Sequence, residues 1–462
     1  MRLLHRLRPL LHRAPRLLRQ CTPALCAGLA ACAGVPPEPL PEVLRDLDAG
    51  TIATVSDGDM RAEGYATGEL APLDQGLRDT LTVLKLQGGH LRTLRYEVSN
   101  SVTAPPEVLA LSRDGRWALV IERLQQRAPG QTRVRELAPG RQLIALDLGD
   151  PQAVRQADRL TLADFAEALA LSPDGAWLAV LSNPRDGPVL QLVPFQAGRF
   201  GPVRRYPLAG LGALGDPATA RGPLSATNVQ WHPSGQALAV HVPAQDRVVM
   251  LRFEAGLAPQ EATLRPWGAP VQVGRDPFVG RFTPDGRHYL TSDWGRDLSA
   301  QTLEQRLPQR PSSLSVVRLA DDTGPAALHR RLGSVETDDN AEGLAVSRDG
   351  RLVATVNMRG TGFPPDSPRH HRDASVSLLR FDPASGSLTK LGDHHFEGVL
   401  PEGGSFDLSG RHFVATVFQG HRGSAQGAGL EVFRVTGGEV PTLQRLGRLP
   451  LPHGVHHVQI AR

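Results

Sequence analysis

Cysteine is nearly absent from this chain, and where it occurs is informative. Of 462 residues only Cys21, Cys26 and Cys32 are cysteines. The 430 residues after Cys32 therefore hold neither a disulfide framework nor a cysteine-based zinc site. Lysine is almost as scarce, with Lys85 and Lys390 against a background of arginine. Acid is missing from the first 37 residues, which carry Arg2, Arg6, Arg8, Arg13, Arg16 and Arg19. Without those six, 45 basic residues face 47 acidic ones, so the formal charge of +4 belongs to the N-terminus. The global charge thus gives no warrant for nucleic-acid binding. No apolar run reaches the ~18 residues of a membrane span. Helical periodicity is also lacking, whereas Gly 48 and Pro 39 supply far more punctuation than a helical protein carries.

The N-terminus reads as an address. Residues 1–20 are rich in Arg and Leu, residues 21–31 are short and apolar, and a Pro-rich stretch follows Cys32. That order is the one a secretory signal shows. Leu29-Ala30-Ala31-Cys32 resembles the lipobox of bacterial lipoproteins, which implies cleavage before Cys32 and a lipid on its sulfur. A signal cut elsewhere, or an Arg-rich organelle presequence, are the competing readings. The division expected is a signal peptide over 1–31 with the lipobox at 29–32, a Pro-rich linker over 32–49, and one domain over 50–462.

That domain is a repeat. Six segments align without gaps around Gly115, Gly175, Gly235, Gly286, Gly350 and Gly410, spaced by 60, 60, 51, 64 and 60 residues. Each reads as an apolar strand, a turn such as Ser-Pro-Asp-Gly, and a β-branched strand. A third strand follows each hairpin, for example 141–148 and 374–381, and a fourth is expected after it. Four-stranded units of about 60 residues are blades of a β-propeller. The ends supply a seventh blade: 51–59, 79–86 and 91–99 read as its later strands, and 451–460 as its first. The fold class expected is an all-β seven-bladed propeller closed by pairing the N- and C-terminal strands.

The Ser-Pro-Asp-Gly hairpins, with Asn183 and Asn357 just past the second strand, resemble YVTN-repeat and lactonase-type propellers over residues 50–462. The phrase AEGLAVSRDG (341–350) is similar to gluconolactonase and phytase-like propellers. The resemblance implies a fold. For activity it spans 6-phosphogluconolactonase-like hydrolases and surface proteins without chemistry alike.

In a propeller the loops entering first strands and those leaving second strands meet on one face. Five residues before the turn serine stand Glu107, Glu167, Thr227, Phe278, Glu342 and Glu402. His453 takes the seventh place when PHG is aligned with PEG, and Asp276 and Asn228 lie beside the column. Four glutamates converging there would raise one another's pKa or recruit Ca²⁺ or Mg²⁺. Alternatively each accepts backbone N–H groups from the next blade, as repeat structure. Glu342 and Glu402, each followed by Gly, are the candidate catalytic acids or bases. With Asn357 they form the candidate metal set. The gluconolactonase resemblance adds Asp293 to the candidates. Asn183, Asp293, Asn357, Asp276, Arg296, His370, His371 and His453 are the candidate binding residues. Arg369 to Arg372 and Arg296 sit in long loops of that face, where arginine can grip a carboxylate or phosphate. His453 and His457 are expected on one strand face.

Two functions remain open. One is a bacterial envelope protein, lipid-anchored in the periplasm, that binds a ligand or partner on its loop-rich face. The other is a lactonase-like hydrolase working from the same face. The partners expected are a small lactone or sugar, or an envelope protein, with no nucleic acid, membrane contact only through the lipid, and a monomeric chain.

Overall fold

A computed structural model describes residues 37–308 and 310–462. The signal, the lipobox and Cys32 lie outside the described residues. Seven antiparallel sheets follow one another, each with four strands of the repeat. Blade 5 is typical, with strands Ala341–Val346, Leu352–Asn357, Asp373–Asp382 and Ser387–Glu397. Counting from the first complete repeat, blades 1 to 6 begin at Leu109, Ala166, Val229, Pro277, Ala341 and Gly404. Blade 7 takes Val455–Ala461 from the C-terminus and Thr51–Ser56, Thr80–Gln87 and His90–Glu97 from the N-terminus. Ile52 pairs with Ile460 and Thr54 with Val458, so the termini zip the ring shut.

The turn motif has a local cause. Ser112 donates its Oγ proton to Asp114 (2.6 Å) and accepts from the N–H of Trp117 (2.8 Å). Gly115 sits at φ 66°, where a β-carbon is disfavoured. The same bonds recur at Ser172–Asp174–Trp177 and Ser347–Asp349–Leu352. Side chains that bond their own backbone favour turns over continued strand.

The core lies between blades. Trp177 and Trp231 both meet Phe253 edge-on, at 5.2 and 5.0 Å between centroids. The stretch read as a linker is attached from Glu38 onward. Glu38 and Pro39 pair with Leu91 and His90 at the outer edge of blade 7. Leu44 and Leu47 are buried against Leu430 and Leu449 of blade 6. No helix among the described residues is long and apolar enough to cross a membrane.

Candidate functional site

The glutamate column sits at or just before the start of each first strand, and in several blades its residue is a β-bulge. In blade 5, Ala341 pairs with Asn357 and Gly343 with Val356, which leaves Glu342 as the extra residue. Glu167 and Phe278 are skipped in the same way in blades 2 and 4. A bulge bends the strand and re-aims the side chain. Here it turns the column residue toward the mouth of the channel.

Register changes the seventh member. Ser56 pairs with Val455 and Val55 with His457, so the bulged residue of blade 7 is His456. The expected His453 lies three residues earlier, before the strand, and its Nε2 contacts the Met60 carbonyl at 2.8 Å. His453 and His457 therefore do not share a strand face. The sequence alignment slipped because the turn glycine that anchors the other blades is replaced in blade 7 by the chain ends. His456 bonds Asn100 Oδ1 at 2.7 Å, and burial pushes its pKa down to about 3.

The four glutamates divide into two satisfied and two unsatisfied. Glu107 receives Arg281 Nη2 across the channel at 2.5 Å and Gln230 Nε2 at 2.9 Å. Glu167 receives Arg123 Nε at 2.7 Å and Asn183 Nδ2 at 3.1 Å. Glu342 and Glu402 are 3% and 1% exposed, and the Oε2 of each has no hydrogen-bond partner. Among the described residues no backbone N–H of a neighbouring blade bonds any of these four carboxylates. Burial pushes Glu342 up to about 8, with Arg296 opposing the rise and Asp276 adding to it. Burial also pushes Glu402 well up, reinforced by the charges of Glu342 and Asp57. The two acids thus face each other electrostatically, and the pair keeps a proton that isolated carboxyls would release.

One cation and one phenol accompany the pair. Arg296 is locked onto Asp276 by Nε (2.7 Å) and Nη2 (3.1 Å), and lies 4.4 and 4.2 Å from the rings of Phe278 and Trp294. Asp276 is fully buried at φ 60°, before the bulge. Tyr65, from the long loop of blade 7, donates to the Val102 carbonyl at 2.8 Å. Its hydroxyl lies against Glu402, where burial and the charges of Glu402, Glu342 and Asp57 push its pKa up. Neither Tyr65, Asp57 nor Arg123 was a candidate from sequence. Asp57 directly follows its second strand and Arg123 stands two residues past its own, positions whose register could have marked them.

Other candidates lie elsewhere. Asn357 donates to Ser375 and Ser377 (both 3.0 Å) and accepts from Thr355 (2.8 Å) within its own blade. Asp293 accepts from Ser315 and Thr291 of its own blade at 2.6 and 2.7 Å, and burial lifts it to about 7. Of the set Glu342, Asn357 and Glu402, Asn357 thus spends its amide on serines between strands. Arg369 binds the carbonyls of Glu304, Leu307 and Pro308, and Arg372 pairs with Glu397. His370 bonds the Phe363 carbonyl and packs on His421. Arg369 and His370 knit the rim together, whereas His371 and Arg372 are exposed.

Three acids do converge in blade 7. Asp57, Asp59 and Asp79 bring ligand atoms within 4.8 Å of one another, all buried. Among the described residues no cation pairs with them, and burial with mutual repulsion raises Asp57 and Asp79 well above the usual range. Backbone N–H groups of Gly58, Met60, Asn100 and Val102 accompany them. They hold together the base of the loop that carries Tyr65.

Solved structures share this fold at low identity. A putative 6-phosphogluconolactonase from Bacteroides fragilis has a TM-score of 0.60 at 13% identity, covering 89% of this chain and 98% of that one. The periplasmic gluconolactonase of Pseudomonas aeruginosa has a TM-score of 0.60 at 18% identity, covering 89% and 99%. A putative 6-phosphogluconolactonase from Bacteroides uniformis has a TM-score of 0.58 at 13% identity, covering 89% and 100%. No family model and no curated protein matches the chain. What the chain has in common with these structures is the seven-bladed propeller fold.

Proposed function

We propose that the chain is a hydrolase of sugar-type lactones, acting at the channel mouth, exported and held to the cell envelope by a lipid on Cys32. One observation carries the activity: Glu342 and Glu402 each present a buried, unpartnered carboxylate oxygen beside the fixed Arg296. Coupled carboxyls whose pKa values are pushed apart supply an acid and a base in one place. The ionised member takes a proton from water as the water oxygen bonds to the lactone carbonyl carbon. Arg296 opposes the negative charge that collects on the carbonyl oxygen. When the ring C–O bond breaks, the protonated member gives its proton to the departing alkoxide. The pair ends with one proton, its roles exchanged, and the product is a hydroxy acid. The names of the similar structures, two putative 6-phosphogluconolactonases and one gluconolactonase, support lactones as the substrate class.

A second reading, a binding platform without turnover, is supported by the cover over the pair. The loops of blades 7 and 1 pair at Glu69 and Arg133, and Gln419 Oε1 accepts from the Ala62 N–H. Solvent therefore meets a knitted rim, with the acids beneath it. Hydrolysis of δ- and γ-lactones of sugar acids, with and without EDTA, separates the two. Wild-type turnover that falls about 10²–10⁴-fold in Glu342→Gln, with unchanged circular dichroism, supports the hydrolase. No turnover of any lactone by the wild type sinks it in favour of the platform.

A further inference from the structure

We propose that the face opposite the carboxylate mouth rests on a lipid bilayer, so that the mouth points away from the membrane. The inference rests on the reading of Cys32 as the lipid site. In each blade the turns joining first to second and third to fourth strands lie on that opposite face. The chain enters the propeller there. Pro39 pairs with His90, and the Leu40 N–H bonds the Gly89 carbonyl, at the turn between the third and fourth strands of blade 7. Five Cα-to-Cα steps separate Cys32 from Pro37. At about 3.3–3.6 Å each they reach at most ~18 Å, whatever their conformation. The mouth lies a full strand away, six residues in Thr51–Ser56. Such a tether reaches a bilayer under the turn face directly. To lay the mouth on the membrane it would have to climb the whole height of blade 7.

The surface itself gives the second reason. The three most exposed large apolar residues are Leu257 (101%), Leu328 (78%) and Val440 (65%). All three are tips of turns between third and fourth strands, in blades 3, 4 and 6: Leu257 follows Arg247–Glu254, Leu328 follows Ser313–Arg318, and Val440 follows Gly429–Thr436. Apolar tips spread over one face add to an acyl chain, which alone holds a protein weakly. On the mouth side the most exposed large apolar side chain is Leu73 (51%), in the Tyr65 loop.

The test uses the full chain purified from membranes and placed in phosphatidylethanolamine–phosphatidylglycerol vesicles. The mature chain has no cysteine beyond residue 32, so single labels are clean. An environment-sensitive fluorophore is attached in turn to Leu257→Cys, Leu328→Cys, Val440→Cys and Leu73→Cys. The expected result is at least a twofold rise in emission at the first three positions, quenched by lipids brominated in their acyl chains, with Leu73→Cys unchanged. A response at Leu73→Cys, or silence at all four positions while the chain stays vesicle-bound, overturns the orientation. A mass spectrum with Cys32 unacylated overturns the anchor, and the orientation with it. Lactone turnover is read separately and is untouched by either result.

Discussion

Glu342 keeps one carboxylate oxygen without a partner in a site that is almost closed to water. Burial that lifts its pKa from 4.5 to about 8 has a consequence for stability. The folded chain keeps a proton that the unfolded chain releases between those values. The stabilisation from this group is complete below about pH 4.5 and is lost as pH rises through about 8. Melting temperature should fall from pH 5 to pH 8.5 and Glu342→Gln should flatten that fall, an effect on the order of 3 kcal/mol at full ionisation. His456 works in the opposite sense. Held neutral with a pKa near 3, it contributes stability that is complete above 6.5 and is lost as pH falls toward 3. His456→Gln should melt with a shallower acid limb than the wild type. Arg296 is the residue whose loss separates chemistry from folding. Arg296→Lys keeps a cation but gives up the bidentate grip on Asp276, so turnover should drop at least tenfold while substrate binding changes less. A rise in KM with kcat unchanged would instead assign Arg296 to binding.

At the scale of elements, the Glu-Gly pairs acquire a reason. A β-carbon on Gly343 would stand 2.2 Å from the Glu402 carbonyl oxygen, and one on Gly403 would stand 2.7 Å from the His456 carbonyl oxygen. Each glycine lets the next blade's bulge pack against its backbone. The Glu-Gly signal therefore marks close approach between blades 5, 6 and 7, and the unpartnered acids are those that approach places at the mouth. Gly343→Ala should cost about 1–3 kcal/mol through overpacking, read as a lower melting temperature. Deeper in the channel, Arg281 of blade 4 meets Glu107 of blade 1, with side chains 22% and 4% exposed. Arg281→Met alone should destabilise by about 3 kcal/mol, because it strands a buried carboxylate. The double variant with Glu107→Gln should recover most of that, measured by urea unfolding. A double variant no more stable than Arg281→Met would show that the arginine acts through its packing.

The whole molecule depends on closure. Six residue pairs join Thr51–Ser56 to Val455–Ala461, and Leu44 and Leu47 fasten the entering chain onto blade 6. Removing residues 451–462 should expose a long edge in blade 7 and drive aggregation, seen as a rise in light scattering. The architecture was legible because it is written locally. A Ser-x-Asp-Gly turn needs only its own side chains to form, and six turns of this kind, three of them Ser-x-Asp-Gly itself and all ending in Gly, count the blades. Blade 7 was legible as a strand pairing, yet its register was not, since the cut hairpin has no turn glycine and His453 was taken for His456. Asn357 and Asp293 carry the right chemistry for a ligand set, but nothing in a linear pattern tells a side chain facing serines between strands from one facing the channel. By itself the sequence determined the repeat, the ring of seven, and the column from which the acids come, because turns and strand alternation are short-range. Only the tertiary structure decided which two of four glutamates stay unpaired. That choice depends on cations held in other blades, Arg281 for Glu107 and Arg123 for Glu167, and on burial that only the closed ring creates.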